Sequence, residues 1–274
     1  MTTAVAKKRN AELSTDILDD VFADAGAGAA FAAEEMTMPF IRLAQQMSPQ
    51  VNKNKPEYIK GIGAGDIFNN LTGEFWEGSE GVRVVVCASV TSYTEWVPID
   101  NGGGFVGELA PNDPVIKQVV REGNKEILPS GNEMVKADNY YVLYETADGA
   151  WQPAVLDMKI TALKVSRRWK SQINIQTIKH PKTGQVIKAP VFANIWRVTS
   201  VEETNRNDQS YANYAVGLDE RNYFETNPDL YQQAKALFLS VQDGEVKAAA
   251  PEERMSTSET SGAKEEVMDD TIPF

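Results

Sequence analysis

The sequence predicts a mainly β domain with helices, of the α+β class, on three observations. Val82–Val90 is a nearly continuous β-branched run, the composition of a buried strand. Asp148-Gly149 separates two strand-like segments, Tyr140–Thr146 and Trp151–Lys159, and its glycine supplies the positive φ that a tight hairpin turn demands. Val165, Trp169 and Ile173 then recur at helical spacing, which places one helix over Thr161–Gln176.

From the N-terminus, residues 1–35 are Ala-rich, acidic and weakly patterned, and are expected to be mobile or weakly structured, with one short helix at Leu13–Phe22. Apolar content rises from Met36 to Gln50, and Asn52-Lys53-Asn54-Lys55-Pro56 reads as an exposed loop. Gly61, Gly63 and Gly65 precede Asp66-Ile67, and Thr72-Gly73 is a turn signal. The Val82–Val90 strand continues through Tyr93 and Trp96 toward Pro98, bending as it goes. Asn101–Gly107 is a glycine-rich loop, and Asp113-Pro114 opens a capped two-turn helix carrying Val115, Ile116, Val119 and Val120. After the hairpin and the Thr161–Gln176 helix come the turn Pro181-Lys182-Thr183-Gly184, a strand over Gln185–Ser200 and a shorter one over Tyr211–Gly217. Asn227-Pro228 starts a last helix, with proline at its first position and a face of Leu230, Ala234, Leu237, Phe238 and Val241, ended by Asp243-Gly244. Beyond Ala248 the chain is Pro, Glu, Ser, Thr and Ala without pattern, the composition of a disordered tail.

Five strands with a helix between the third and fourth is the connectivity of an OB-fold. The expectation is therefore an OB-fold-like five-stranded barrel with insertions, the longest around residues 99–138, followed by a C-terminal helix and a disordered acidic tail. Its domains divide as 1–35, 36–245 and 246–274.

Composition bounds the function. With 274 residues, 42% of them hydrophobic and 24% charged, the chain can build a sizeable core, which excludes collagen-like, mucin-like and wholly disordered readings. No apolar run approaches the roughly 18 residues of a membrane span. The first residues, Met-Thr-Thr-Ala-Val-Ala-Lys-Lys-Arg, lack an apolar segment after their charges, so no secretory leader is expected. Cys87 is the single cysteine, which rules out an intramolecular disulfide and fits a buried, reduced thiol in a cytoplasmic protein.

Net charge is −12, but the ends hold most of it: residues 1–35 carry 3 basic and 7 acidic side chains, and residues 248–274 carry 2 and 7. Between them lies an exception, because Met158–Val201 contains nine Lys or Arg residues and no Asp or Glu over 44 positions. An acidic chain with one acid-free basic stretch points to a polyanion as ligand. On the helix, Lys164, Arg167, Arg168 and Ser171 lie on adjoining turns, and Lys170 is a further cation of the same helix; Lys179, Lys182 and Lys188 cluster around a β-turn; Arg197 alternates with Trp196 on the next strand. Single-strand binders need cations along the phosphates and aromatic faces for the bases, with stacking worth about 1–3 kcal/mol per base. Trp169 either belongs to the core or borders the basic surface. Tyr93 and Trp96 on the long strand, Tyr141 on the hairpin and Phe105 in the glycine-rich loop are the further candidates, each with packing and stacking open to it. Tyr140 and Tyr141 must point to opposite faces.

Catalytic signals are thin. His180 is the lone histidine and its Pro181 neighbour suggests a turn, which leaves no His-based zinc site and no Ser-His-Asp triad. Gly61-Ile62-Gly63-Ala64-Gly65 has no strand before it or helix after it, and Asn101–Gly107 lacks the ending of a phosphate-binding P-loop. Nothing in the spacing of the 39 acidic residues recommends a metal-dependent nuclease. No enzyme activity, cofactor or metal is expected.

The last residues are Asp269-Asp270-Thr271-Ile272-Pro273-Phe274. They resemble the C-terminal tip of bacterial single-stranded-DNA-binding proteins and the acidic, Phe-terminated tails of phage-encoded proteins with the same role. A terminal Phe274 offers an apolar anchor together with the α-carboxylate, Ile272 and Pro273 extend it, and Asp269 and Asp270 suit a basic rim on a partner. Gly65-Asp66-Ile67, Thr72-Gly73-Glu74, Glu95-Trp96 and Gly102–Gly107 are similar to phage replication-module proteins. The resemblance implies a phage-encoded, sequence-independent single-stranded-DNA-binding protein that recruits replication or recombination proteins through its tail. A phosphate-directed surface tolerates duplexes, so double-stranded DNA stays open as a partner. A phage scaffolding or adaptor protein, binding other proteins through the tail without DNA, is the alternative.

Overall fold

The computed structural model describes residues 38–246 apart from 124, 206 and 207, together with 20, 23 and 24. The chain divides into a unit of Met1–Met36 and a compact unit of Thr37–Phe274, and the sheet with its helices belongs to the second. The Leu13–Phe22 helix and the tail tip Asp269, Asp270, Ile272, Pro273 and Phe274 lie outside the described residues, save Asp20.

Thirteen strands and two helices of three or more turns are formed among the described residues. Strands β1 (Phe40–Leu43), β2 (Ile67–Asn69) and β3 (Phe75–Trp76) precede the long β4 (Val82–Trp96). Short strands β5 (Phe105–Leu109), β6 (Val120–Glu122) and β7 (Lys125–Ile127) lead to the hairpin β8 (Glu133–Glu145) and β9 (Trp151–Lys159). Helix α1 (Leu163–Asn174), the small hairpin β10 (Thr177–Lys179) and β11 (Val186–Lys188), then β12 (Asn194–Thr204), β13 (Ser210–Arg221) and α2 (Pro228–Gln242) complete the order. The protein is thus mainly β with helices.

Eleven strands make one curled mixed sheet, running β13-β12-β4-β8-β9-β1-β2-β3, with β5 on β4 and β6–β7 on β8. Every ladder is antiparallel except β1 on β9. The five strands expected from sequence fall at β4, β8, β9, β12 and β13, with α1 between the third and fourth. The additional strands outside Gln185–Ser200 lie where the sequence predicts none, because two to five residues carry too little periodicity to register and gain their pairing from tertiary partners. The single strand expected over Gln185–Ser200 is two, β11 and β12, separated at Pro190, which has no N–H for a ladder. The two-turn helix expected after Asp113 is a single 3₁₀ segment, Pro114–Gln118, with the expected cap: the Asp113 side chain accepts from the Val115 N–H at 2.9 Å.

The sheet curls until its two ends meet. The loop after β3 reaches β12, where the Ser200 N–H donates to the Gly78 carbonyl at 2.8 Å and its hydroxyl to the Gly65 carbonyl at 2.5 Å. The Gln45 side-chain amide both donates to and accepts from the Ala212 backbone, at 2.8 and 3.1 Å. This seam requires glycine: a Cβ on Gly78 would stand 2.2 Å from the Gly65 carbonyl, and one on Gly81 2.1 Å from that of Val198.

Two layers of core result. Inside the curl lie Val82, Val84 and Val86 of β4, Tyr140, Val142 and Tyr144 of β8, Leu156 and Met158 of β9 and Trp196 and Val198 of β12, closed by Trp169 of α1. On the outer face α2 sets Leu230 and Ala234, with Leu237 and Phe238, against Val85, Cys87, Leu143 and Ile195. The helix begins where its sequence demands, with Asn227 accepting from the Leu230 N–H at 3.0 Å and Pro228 at its first position. Burial pushes the Cys87 thiol up to about 12, so it is an inert, protonated core residue.

Candidate nucleic-acid interface

Helix α1 is amphipathic, and its buried side fixes where its cations point. Trp169 is fully buried; it stacks on Tyr140 with centroids 4.4 Å apart and meets Trp196 edge-on at 6.1 Å. A polar pin holds the same helix to β8. The Ser166 hydroxyl donates to Asp138 at 2.5 Å, Thr91 donates to it at 2.7 Å, and the Lys170 ammonium lies 2.7 Å away. Burial alone would raise the Asp138 pKa, but these donors outweigh it and hold the carboxyl below its ordinary value. Tyr140 completes the network at 2.7 Å from the Ser166 hydroxyl, and burial raises its phenol well above the usual range.

With that side committed, Lys164, Arg167 and Arg168 face solvent. After α1, the β10–β11 hairpin pairs Thr177 with Lys188, Ile178 with Ile187 and Lys179 with Val186. Its turn is built as the sequence suggested: His180 Nδ1 accepts from the Lys182 and Thr183 N–H groups at 3.2 and 3.3 Å. Lys179, Lys182 and Lys188 are exposed on this hairpin.

The acid-free stretch does not stay acid-free in space. Lys159 pairs with Asp157 at 2.8 Å, Lys164 with Glu203 at 3.2 Å, Lys170 with Asp138 and Arg197 with Asp219 at 3.0 Å. Arg197 also donates to the Glu80 carbonyl, so it serves the sheet. Lys188 donates to the neutral Asn174 side chain. No acidic side chain among the described residues pairs with Arg167, Arg168, Lys179 or Lys182.

Most of the aromatic candidates are closed off. Trp169 and Trp196 are interior, because helical spacing and strand alternation both turn them into the curl. Tyr141 points to the opposite face from Tyr140, as alternation requires, yet that face is also covered: it packs with Phe40 and Val155 beneath Val241 at the end of α2. Trp96 is buried, donates its indole N–H to the Thr94 hydroxyl at 2.9 Å and meets Phe105 edge-on at 5.2 Å. Phe105 thus anchors its loop while keeping part of its surface open. Tyr93 is half-buried on the inner face of β4, directly opposite Lys136, whose ammonium lies 5.9 Å from the ring centroid. Tyr93 and Phe105 are the candidates that retain exposed surface.

Lys136 and Asp138 were missed from sequence. They share the face of Tyr140 at alternate positions, a strand signal hidden because β8 begins at Glu133, inside the segment read as an insertion. A cleft of about 310 Å³ opens where α1, the hairpin and β4 converge, lined by Val86, Ser89, Lys170, Ile173, Asn174 and Lys188 among others. Among the described residues, no three His, Cys, Asp or Glu side chains group to hold a metal, and no helix is long and apolar enough to cross a membrane.

No curated protein and no solved structure matches the chain significantly. A family model does: the one described as Pam3 phage gp34-like protein matches residues 7–247, so the chain belongs to that phage protein family.

Proposed function

We propose that this phage-family protein is a non-enzymatic single-stranded-DNA-binding protein that holds the strand without reading its sequence. The observation that carries the reading is the set of four acid-free cations, Arg167, Arg168, Lys179 and Lys182, on one helix and the hairpin after it. Cations already paired with carboxylates gain little from a phosphate, whereas these four release counterions when a phosphodiester backbone replaces the salt atmosphere. Tyr93, with Lys136 beside it, and Phe105 offer partly open rings to bases. An OB-like reading of the barrel draws support from the pairing order β13-β12-β4-β8-β9 with α1 between β9 and β12.

In this reading the acidic tail competes weakly for the basic surface when DNA is absent and recruits replication or recombination proteins through Asp269, Asp270, Ile272, Pro273 and Phe274 when DNA displaces it. Deleting residues 248–274 raises DNA affinity most at low salt; unchanged or weaker binding removes the competition step.

The primary test is anisotropy of a labelled dT oligonucleotide and a matched duplex over a range of salt. Tight, salt-dependent binding that favours the single strand supports the reading, and absence of binding at low salt ends it. One observation favours the second reading, a protein-binding adaptor. Ile178, Ile187, Pro190, Phe224, Pro228 and Tyr231 line an apolar groove between the hairpin and the start of α2, with no cation among them. That reading requires partner capture by a protein that ignores oligonucleotides.

A further inference from the structure

We propose that the cleft between α1 and the β10–β11 hairpin seats one unstacked nucleobase of the bound strand, an inference that rests on the single-strand reading above. The cleft's volume, about 310 Å³, falls at the lower end of small-ligand sites, ~300–1,000 Å³. Its walls are largely apolar: Val86 from β4, Tyr140 from β8, Ile173 from α1, and Ala189 and Val191 from the segment joining β11 to β12. A base removed from its stack is held between aromatic or apolar side chains, with polar groups meeting its edge. Ser89 and Asn174 bring a hydroxyl and an amide to that edge. Each can donate or accept, so they meet any base without choosing one.

The cations fit the phosphates that would flank such a base. Arg167, Lys170 and Asn174 follow one edge of α1 at spacings of three and four residues, and Lys188 is bonded to Asn174, so three cations form a line past the mouth. Lys170 and Lys188 line the cleft itself. Lys188 can turn to a phosphodiester without stranding a buried charge, because its partner Asn174 is a neutral, exposed acceptor. Lys170 stays beside the buried Asp138 carboxylate and lends its positive field to the rim from there. A free inorganic anion would use this rim and leave the apolar walls wet; a nucleotide within a strand uses both.

The test compares a dT oligonucleotide with an abasic deoxyribose-phosphate strand of equal length, on the full chain and on Ala189→Phe, which fills the cleft from its wall. The wild type is expected to favour the base-bearing strand. Ala189→Phe is expected to lose about 5- to 150-fold of that preference while its affinity for the abasic strand and the salt dependence stay unchanged. A preference that survives Ala189→Phe overturns the cleft. Equal wild-type binding of both strands overturns it too, while leaving the single-strand reading in place. No binding of either strand at low salt removes that reading and the cleft with it. Crosslinking of the wild type to a 4-thiothymidine oligonucleotide gives a readout independent of the variant's folding. Adducts on residues 170–174 or 186–191 are expected, and adducts confined to other segments overturn the inference.

Discussion

Arg83 and Arg197 live in different electrostatic company from Arg167 and Arg168. On the sheet, Arg83 reaches Glu145, Asp219 and Glu220 at 3.0, 2.7 and 2.8 Å, and Arg197 shares Asp219 with it. These contacts tie β4, β8, β12 and β13 together across half-buried positions. On α1, Arg167 and Arg168 stand exposed with no acid beside them among the described residues. An isolated exposed pair contributes about 0–1 kcal/mol, and a network more. The charge of a side chain therefore says little about its use until its neighbours are known. A satisfied guanidinium staples strands, and an unsatisfied one waits for an anion from outside.

The largest effect should come from the core that orients the open group. Trp169→Ala removes the ring stacked on Tyr140 and is expected to destabilise the protein by about 3–5 kcal/mol in urea unfolding. A loss below 1 kcal/mol would mean that α1 is seated by something other than this indole. Next in size is the combined Arg167→Ala, Arg168→Ala, Lys179→Ala, Lys182→Ala variant. Its salt slope for single-stranded DNA should fall by about 0.7 per cation removed, which is roughly fivefold in affinity per cation for each decade of salt. Its unfolding midpoint should not move, since surface changes away from special contacts stay within ~0.5 kcal/mol. Unchanged affinity would place the DNA surface elsewhere.

Asp219→Ala probes the other side of the comparison. Removing the acid that two arginines share should cost about 1–2 kcal/mol of stability, read by the same unfolding curve, and leave the DNA salt slope unaltered. The smallest effect is in pH. Burial would raise the Asp219 carboxyl, but hydrogen bonds from Arg83 and Arg197 outweigh it and hold it below its ordinary value, as the donors around Asp138 do there. Because both folded values are depressed, their stabilisation is complete above the ordinary carboxylate value of about 4 and is lost as pH falls through the lowered folded values. Thermal melts between neutral and strongly acidic pH should show that decline, and Asp138→Asn should make it shallower. An equally steep decline in that variant would assign the acid sensitivity to other carboxylates.

What was legible in the sequence was local. The spacing of Val165, Trp169 and Ile173, the Asp148-Gly149 turn and the Asn227-Pro228 start each depend on neighbours within a few residues, and the helices and hairpin lie where those signals stand. The acid-free stretch was legible as a run, but its partners were not. Asp219 meets Arg197 across the β12–β13 ladder, and Asp138 meets Lys170 from a strand whose first residues read as part of an insertion. The burial of Trp96, Tyr141, Trp169 and Trp196 was hidden for a related reason. Alternation put Tyr140 and Tyr141 on opposite faces correctly, but nothing local announces that α2 returns to cover the outer one. Sequence separation, rather than weak chemistry, hid these residues.

The seam that closes the curled sheet has a consequence for time rather than for shape. It joins Gly65 to Ser200 and Gln45 to Ala212, contacts 135 and 167 residues apart along the chain. Contacts of that separation demand the closure of long loops, so they form after the local hairpins and helices have done their part. Interactions made only after the folding transition state govern the rate of opening far more than the rate of assembly. The tight glycine contacts at Gly78 and Gly81 therefore act on the lifetime of the curled sheet, a latch that is set last and released first.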